Sequence, residues 1–166
     1  MKYSTRKLTT LAITVSLALI LSFIESRIPA FVAIPGIKVG LANIAVIFTL
    51  YKLGVPEAIA VSIVRVILVS ILFGTPVSLI YSISGATLSL ASMILLKRFT
   101  PLNEITVSLV GAIMHNVGQI LAASVMLKTD VITYYLPFLI LSGTIAGIAV
   151  GVVSGILIKK INVSIK

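Results

Sequence analysis

Apolar residues in this chain fall into six long runs, separated by glycine, proline and charged residues. About 20 apolar residues are enough for a helix to cross a bilayer. We therefore predict helices at about 7–24, 39–53, 55–73, 75–96, 105–127 and 131–158, all within one transmembrane domain, 1–166. The second run is short for a full span. We expect the segment before it, which contains prolines and glycines, to help it cross the bilayer. The predicted fold is an all-α integral membrane protein, a bundle of six transmembrane helices.

Composition supports a membrane protein. The chain is 59% hydrophobic and only 10% charged, with a mean hydropathy of +1.24, which is outside the usual range of soluble domains. The first run follows three basic residues, as in a signal peptide, but no small-residue cleavage site follows Ile24. We therefore expect an uncleaved first helix.

The positions of the basic residues predict the orientation. Net charge is +9, yet the cations lie mostly at the ends of apolar runs, where cytoplasmic loops collect Lys and Arg, so nucleic acid is not the expected partner. Cytoplasmic termini leave only Arg27, Lys38 and Lys128 outside. The same orientation places the following residues inside: Lys2, Arg6, Lys7, Lys52, Lys97, Arg98, Lys159, Lys160 and Lys166.

Residues for metal or covalent chemistry are scarce. The chain has no cysteine, one histidine and four acidic residues, so thiolate metal sites are excluded and a metal centre is not expected. No hydrolase, phosphate-loop or kinase motif is present. We therefore predict no catalytic residues, no metal and no cofactor.

The fifth run carries the chain's only His and only Gln. At 100° per residue, His115, Asn116 and Gln119 lie on one side of a helix with small residues, and the other side is apolar. Polar groups at this depth face the interior of a bundle or a water-filled cavity. We interpret these three as substrate-binding residues.

Arg65 lies in the middle of the third run and requires a counter-charge, carbonyls, water or an anionic ligand. Among the acids, Glu25 at the outer end of the first helix is the only candidate partner for it. Two interpretations stay open: a structural Arg65–Glu25 pair, and a cation that binds substrate.

The segment before the second helix is a third candidate. Pro35 and Gly36 predict a turn, Lys38 lies at the helix entry, and Asn43 is polar near the start of the helix. A helix N-terminus with a lysine suits an anion, although Lys38 might only extend to the outer surface. We predict a lid over 29–38, with Glu25, Pro35 and Gly36 at the pocket rim.

These candidates fall at similar depth if the helices are antiparallel. Together with Tyr81 they predict a positively charged pocket in the outer half of the bundle. The cytoplasmic half shows no comparable cluster in the sequence.

Two helices carry small residues at a helical spacing. Gly143, Gly147, Gly151 and Gly155 predict a smooth seam on the sixth helix, for packing inside the bundle or between subunits. The first helix has a weaker pattern, with Ala12 and Ser16 on one side and Thr14 and Ala18 offset from them. This face fits another helix of the bundle or a partner subunit.

Several segments resemble those of a bacterial membrane family called heptaprenyl diphosphate synthase component I, or Gx transporter proteins. They are ESRIP (25–29), PGIKVGLAN (35–43), Arg65, FGT (73–75), YSISG (81–85) and GAIMHNVGQ (111–119). That family is similar in size and helix count to the S components of energy-coupling factor (ECF) transporters. The resemblance implies cytoplasmic termini, a bacterial plasma-membrane location and a ligand pocket open to the outside. It also implies a transmembrane coupling subunit and cytosolic ATPases as partners, with Ala12 and Ser16 at the interface.

Three functions follow from these patterns. The leading hypothesis is an S-component-like binding protein for uptake of a small, anionic molecule. The alternative is a non-catalytic membrane subunit that assists the catalytic subunit of a prenyl synthase, because one aspartate, Asp130, is too few for magnesium-dependent prenyl transfer. The third is a channel for ions or protons through His115, against which stands the lack of a polar path to the cytoplasmic side.

Overall fold

The fold was described from a computed structural model that covers residues 5–27, 40–129 and 131–162. This part of the chain is helical throughout and contains no strand. Its elements are α1 (Thr5–Arg27), α2 (Asn43–Lys52), α3 (Val55–Phe73), α4 (Pro76–Phe99), α5 (Glu104–Leu127), a 3-10 helix (Val131–Tyr135) and α6 (Leu136–Lys160).

Neighbouring helices run antiparallel, so the bundle has two distinct ends. At one end, α1, α3 and α5 finish and α2, α4 and α6 begin; we call it the Arg27 end. At the other, the Lys97 end, an ion pair of 2.5 Å joins Lys7 to Glu57, at the starts of α1 and α3. Lys97 Nζ also donates to the Leu50 carbonyl at 2.5 Å, linking the ends of α4 and α2.

Large apolar side chains cover the outside of the bundle. Ile71, Val125 and Phe138 are each at least 70% exposed, which suits hydrocarbon rather than water. Within the described ranges, five helices are long and apolar enough to cross a membrane: α1, α3, α4, α5, and α6 together with the 3-10 helix before it. The chain is therefore a multi-pass membrane protein.

The second helix is shorter than the sequence indicates. It begins at Asn43 rather than near residue 39, and its ten residues are too few to span a bilayer. Gly40 has a positive φ of 92°, and its carbonyl accepts from the Asn43 N–H at 2.9 Å, which forms a turn before the helix. From Asn43 to Leu50, every residue of α2 is buried in the bundle.

The last helix also starts differently from the prediction. The predicted run 131–158 opens with the 3-10 helix, and α6 begins at Leu136 with Pro137 in its first turn. Proline lacks an N–H and has a fixed φ, so it favours a helix start over a helix interior. The predicted run is therefore divided at this proline into a 3-10 helix and α6.

The glycines of α6 pack inside the bundle against α5. A Cβ on Gly147 would lie 2.8 Å from Leu109 Cα, and one on Gly151 would lie 2.7 Å from Ile105 Cα. Added side chains would therefore separate the two backbones. Of the two interpretations of this seam, the structure supports packing within the subunit.

Glycines also bring α5 close to α4 on its other side. A Cβ on Gly118 would lie 2.6 Å from the Ser84 carbonyl oxygen, and one on Gly85 would lie 2.9 Å from the His115 carbonyl oxygen. Close backbone approach of this kind is a main source of helix association in bilayers. Helix α5 is thereby fixed between α4 and α6.

The orientation predicted from charge can be tested with single cysteines, because the native chain has none. Ser26 and Pro101 are exposed at the Arg27 and Lys97 ends. In intact cells, an impermeant maleimide is expected to label Ser26→Cys, and to label Pro101→Cys only after permeabilisation. The reverse labelling pattern would contradict cytoplasmic termini.

Candidate functional site

A small polar pocket lies between four helices and the turn before α2. Its volume is about 20 Å³, which is room for about one water molecule. Its polar groups come from helices far apart in sequence, which the antiparallel packing brings to one depth. The described residues that line it are Ser22, Glu25, Gly40, Arg65, Val66, Val69, Ser82 and His115.

Arg65 is the buried cation of this pocket. Its side chain lies on the inward face of α3 and the residue is only 7% exposed. Its Nε is buried without a hydrogen-bond partner among the described residues. The carboxylate of Glu25 acts electrostatically on the guanidinium, so the predicted proximity of these two residues is present in the structure.

Glu25 has a second role beside Arg65. Its Oε1 accepts a hydrogen bond from the backbone N–H of Gly40, which ties the end of α1 to the turn before α2. Glu25 is therefore shared between a backbone donor and a cation. Glu25 is 6% exposed and lines the pocket together with Arg65.

His115 and Gln119 lie one turn apart on the α5 face toward α4. His115 lines the pocket, and Gln119 is 1% exposed. Both amide atoms of Gln119, Oε1 and Nε2, are buried without a partner among the described residues. Gly85 of α4 makes this arrangement possible, because a Cβ there would lie 2.9 Å from Gln119 Cγ and 3.1 Å from His115 Cε1.

Asn116 lies on another side of α5. Its Nδ2 donates to the Leu139 carbonyl at 2.7 Å, and a Cβ on Gly143 would come within 2.7 Å of the same nitrogen. Nearer the Lys97 end of α5, the Ser108 hydroxyl donates to the Gly147 carbonyl at 2.8 Å. These polar side chains fasten α6 to α5.

Two further candidates lie near the pocket without lining it. Asn43, the first residue of α2, is buried, and its Nδ2 would be 3.1 Å from a Cβ on Gly40, a lining residue. Tyr81 is also buried, in an apolar cluster at the Arg27 end with Ile120, Ala123, Ile132 and Leu139.

A family model for heptaprenyl diphosphate synthase component I matches residues 14–157, which is most of the chain. The chain belongs to the heptaprenyl diphosphate synthase component I family. No curated protein and no solved structure matches. The family predicted from the sequence segments is therefore confirmed, and the match includes every pocket-lining residue.

Several other residues that the sequence predicted to have a functional role are not among the described residues that line the pocket. Lys38, Pro35, Gly36 and the predicted lid 29–38 lie outside the described residues. The two candidate interface residues of α1, Ala12 and Ser16, are exposed. The offset pair, Thr14 and Ala18, is buried against the bundle.

Ser22 and Ser82 are pocket residues that sequence reasoning did not select as binding residues. Ser22 precedes Glu25 by three residues, so the two share a helix face. Ser82 adjoins Tyr81 in a segment that was already singled out. Serines are common in transmembrane helices, so the sequence alone does not distinguish these two from the others. The packing of the helices places them at the pocket.

Polar side chains also make contacts between helices at the Lys97 end. Glu57 is 6% exposed and pairs with Lys7. Lys97 Nζ lies 4.8 Å from the centroid of the Tyr51 ring, besides donating to Leu50. These contacts join the start of α1 to the start of α3, and the end of α4 to the end of α2.

A metal role is not supported within ranges 5–27, 40–129 and 131–162. No group of three or more His, Asp or Glu residues is placed there to hold an ion. The pocket holds one acid and one histidine beside an arginine, and a fixed cation is an unfavourable neighbour for a metal ion.

Asn116 and Gln119 are expected to differ in their contributions to stability. Asn116→Leu removes a buried helix–helix hydrogen bond and should lower the free energy of unfolding by about 1 kcal/mol. Gln119→Met removes two buried unsatisfied atoms at similar volume, so the melting temperature should stay the same or rise. Melting of both variants in the same detergent, without added ligand, is the measurement; a larger loss for Gln119→Met would contradict this assignment.

Proposed function

We propose that the chain is an S-component-like membrane protein that binds a small anionic molecule at Arg65 for uptake, and that the pocket, whose volume of about 20 Å³ holds about one water molecule, widens to admit it. The observation that carries this proposal is the buried Arg65, whose Nε has no hydrogen-bond partner among the described residues. A buried charge without full compensation is costly, and in membrane proteins such residues usually mark ligand or ion sites.

The hydrogen bonds of the pocket favour a ligand that carries acceptors. Glu25 balances the formal charge of Arg65, but one of its oxygens accepts from the Gly40 N–H and the Arg65 Nε is left without an acceptor among the described residues. A ligand carboxylate or phosphate beside Arg65 would supply that acceptor. Arginine suits this role because its planar donors match such oxygens.

Neighbouring polar groups supply specificity in this proposal. His115 lines the pocket, and Gln119 offers a donor and an acceptor one turn away. Lys38 and Asn43 belong to the proposed set as a second cation and an amide at the entry of α2. Asn116 and Tyr81, by their contacts with Leu139 and with the apolar cluster, hold the helices that carry the binding groups.

The proposed transport role requires partners. In the S-component-like arrangement, a transmembrane coupling subunit and cytosolic ATPases move the ligand after it has bound from the outside. The exposure of Ala12 and Ser16 on α1 supports a docking role for that face, since small residues permit close helix approach.

A second candidate function follows from the description of the family. Its name refers to a synthase, and the second candidate is therefore a non-catalytic membrane subunit that binds a prenyl synthase catalytic subunit. The chain has only one aspartate, Asp130, whereas holding magnesium around a diphosphate requires clustered carboxylates. The catalytic residues would then belong to the partner.

Variants of Arg65 test the binding role. Gentle purification followed by native mass spectrometry should find a ligand retained by the wild-type chain. Arg65→Ala is expected to lower affinity by about 30-fold to several thousand-fold, corresponding to about 2–5 kcal/mol for a buried charged contact. Arg65→Lys should recover only part of the binding, because a point charge replaces a planar group.

Ligand-free melting provides the control for this series. Arg65→Ala and Gln119→Ala should remain folded, since an uncharged side chain suits the membrane interior. If the Arg65–Glu25 contact were purely structural, Arg65→Ala and Glu25→Ala would both lower the melting temperature. Unchanged ligand retention together with such a loss would overturn the binding role.

Co-purification separates the two candidate functions. We expect the tagged chain to retain a coupling subunit and ATPases, and Ala12→Leu or Ser16→Leu to weaken that complex without changing ligand retention. Ala149→Leu, a similar change at an exposed position on α6, is the matched control. Recovery of a prenyl synthase subunit instead, with synthase activity restored by this chain, would favour the second function.

A further inference from the structure

An apolar groove runs along the membrane-facing side of the bundle between α3 and α4. Its volume is about 520 Å³, far more than the polar pocket provides. We call it the α3–α4 groove. Its floor includes small or short side chains, among them Ser62, Ala86, Thr87 and Ala91.

The groove and the polar pocket share a wall. Val66 lines both, and it follows Arg65 directly in the chain. On α4, Ser82 lines the pocket and the next residue, Ile83, lines the groove. A molecule with its polar part beside Arg65 and its apolar part in the groove would therefore have to cross this wall at Val66, which separates the two cavities.

The groove is open to lipid and extends away from the pocket. Ile63 and Ile83 are 54% and 47% exposed. From Ile83 to Ile94, the last lining residue on α4, the length is about 16 Å at 1.5 Å per residue. This shape suits an extended hydrocarbon chain that lies between the two helices.

We propose that the ligand is an anionic amphiphile with a single hydrocarbon tail, whose head binds at Arg65 and whose tail lies in the α3–α4 groove. This inference rests on the proposed binding function and specifies the chemical class of the ligand. The pocket alone has room for little more than a water molecule, so the groove supplies the contact area, and Arg65 supplies the charge that selects an anionic head.

The position of Arg65 argues for such a molecule over an ordinary bilayer lipid. Arg65 lies about 12 Å from the nearer end of α3, Phe73, at 1.5 Å per residue. A phospholipid keeps its head group at the membrane surface, so its head would have to leave the interface to reach this depth. A single-tailed anion pays a similar cost for its charge, but it has a smaller head and only one chain to accommodate between α3 and α4.

The proposal can be tested by photocrosslinking in lipid nanodiscs. The probe is an alkyl phosphate with a diazirine at the end of its tail, and peptide mapping locates the label. We expect labelling of α3 or α4 residues of the groove, and competition by the same alkyl phosphate without the diazirine. The matching alkanol, which lacks the anionic head, should label at least about tenfold less, as expected for loss of one buried charged contact.

Two kinds of variant separate the head from the tail. Arg65→Gln should reduce labelling at least about tenfold. Ala91→Phe, which fills the groove, should reduce it about fivefold or more, and Thr87→Phe provides a second filling variant if the first is unstable. Ala149→Phe, exposed on α6 and distant from the groove, should label like the wild-type chain.

The outcomes of these experiments separate the proposed tail groove from the binding function on which it rests. If ligand retention in native mass spectrometry depends on Arg65 but neither filling variant changes labelling, the binding function stands and the tail groove is wrong. Equal labelling by a diazirine phosphatidylglycerol, independent of Arg65, would mean that the groove holds bilayer lipid only. If Arg65→Gln changes neither retention nor labelling, both proposals fail.

Discussion

The close approach of α5 to α4 and α6 is the constraint on which the rest of the bundle depends. Lipid provides no hydrophobic force that drives helices together, so contact between backbones has to supply the association. Glycines provide that contact on both sides of α5: Gly85 and Gly118 toward α4, and Gly147 and Gly151 toward α6. The rotation of α5 about its axis is thereby set, and with it the direction of each of its polar side chains.

That rotation separates polar groups that hold the bundle together from polar groups that remain available. Asn116 satisfies a carbonyl of α6, while Gln119, three residues later, has both amide atoms without a described partner. Native proteins leave few buried polar groups unsatisfied. The Arg65 Nε in the pocket and the Gln119 amide, one turn from the pocket-lining His115, are two such groups.

Much of the architecture could be predicted from the sequence because bilayer thickness constrains it strongly. Apolar runs, breakers and intramembrane polar residues indicated the helices, the family and the depth of Arg65, Glu25 and His115. Distinguishing Asn116 from Gln119 was not possible in this way, because one polar wedge of α5 faces two neighbouring helices. The short α2 was hidden by an apolar run that continues through the Gly40 turn.

The ten residues of α2 have an electrostatic consequence. They extend about 15 Å at 1.5 Å per residue, about half of the hydrocarbon thickness of a bilayer. The start of this helix therefore lies deep within the bundle, where its macrodipole amounts to about half a positive charge that little water screens. Gly40, three residues before that start, shares the pocket with Arg65. The short helix thus adds to the positive potential of the pocket through its backbone, a contribution that substitution of side chains would leave in place.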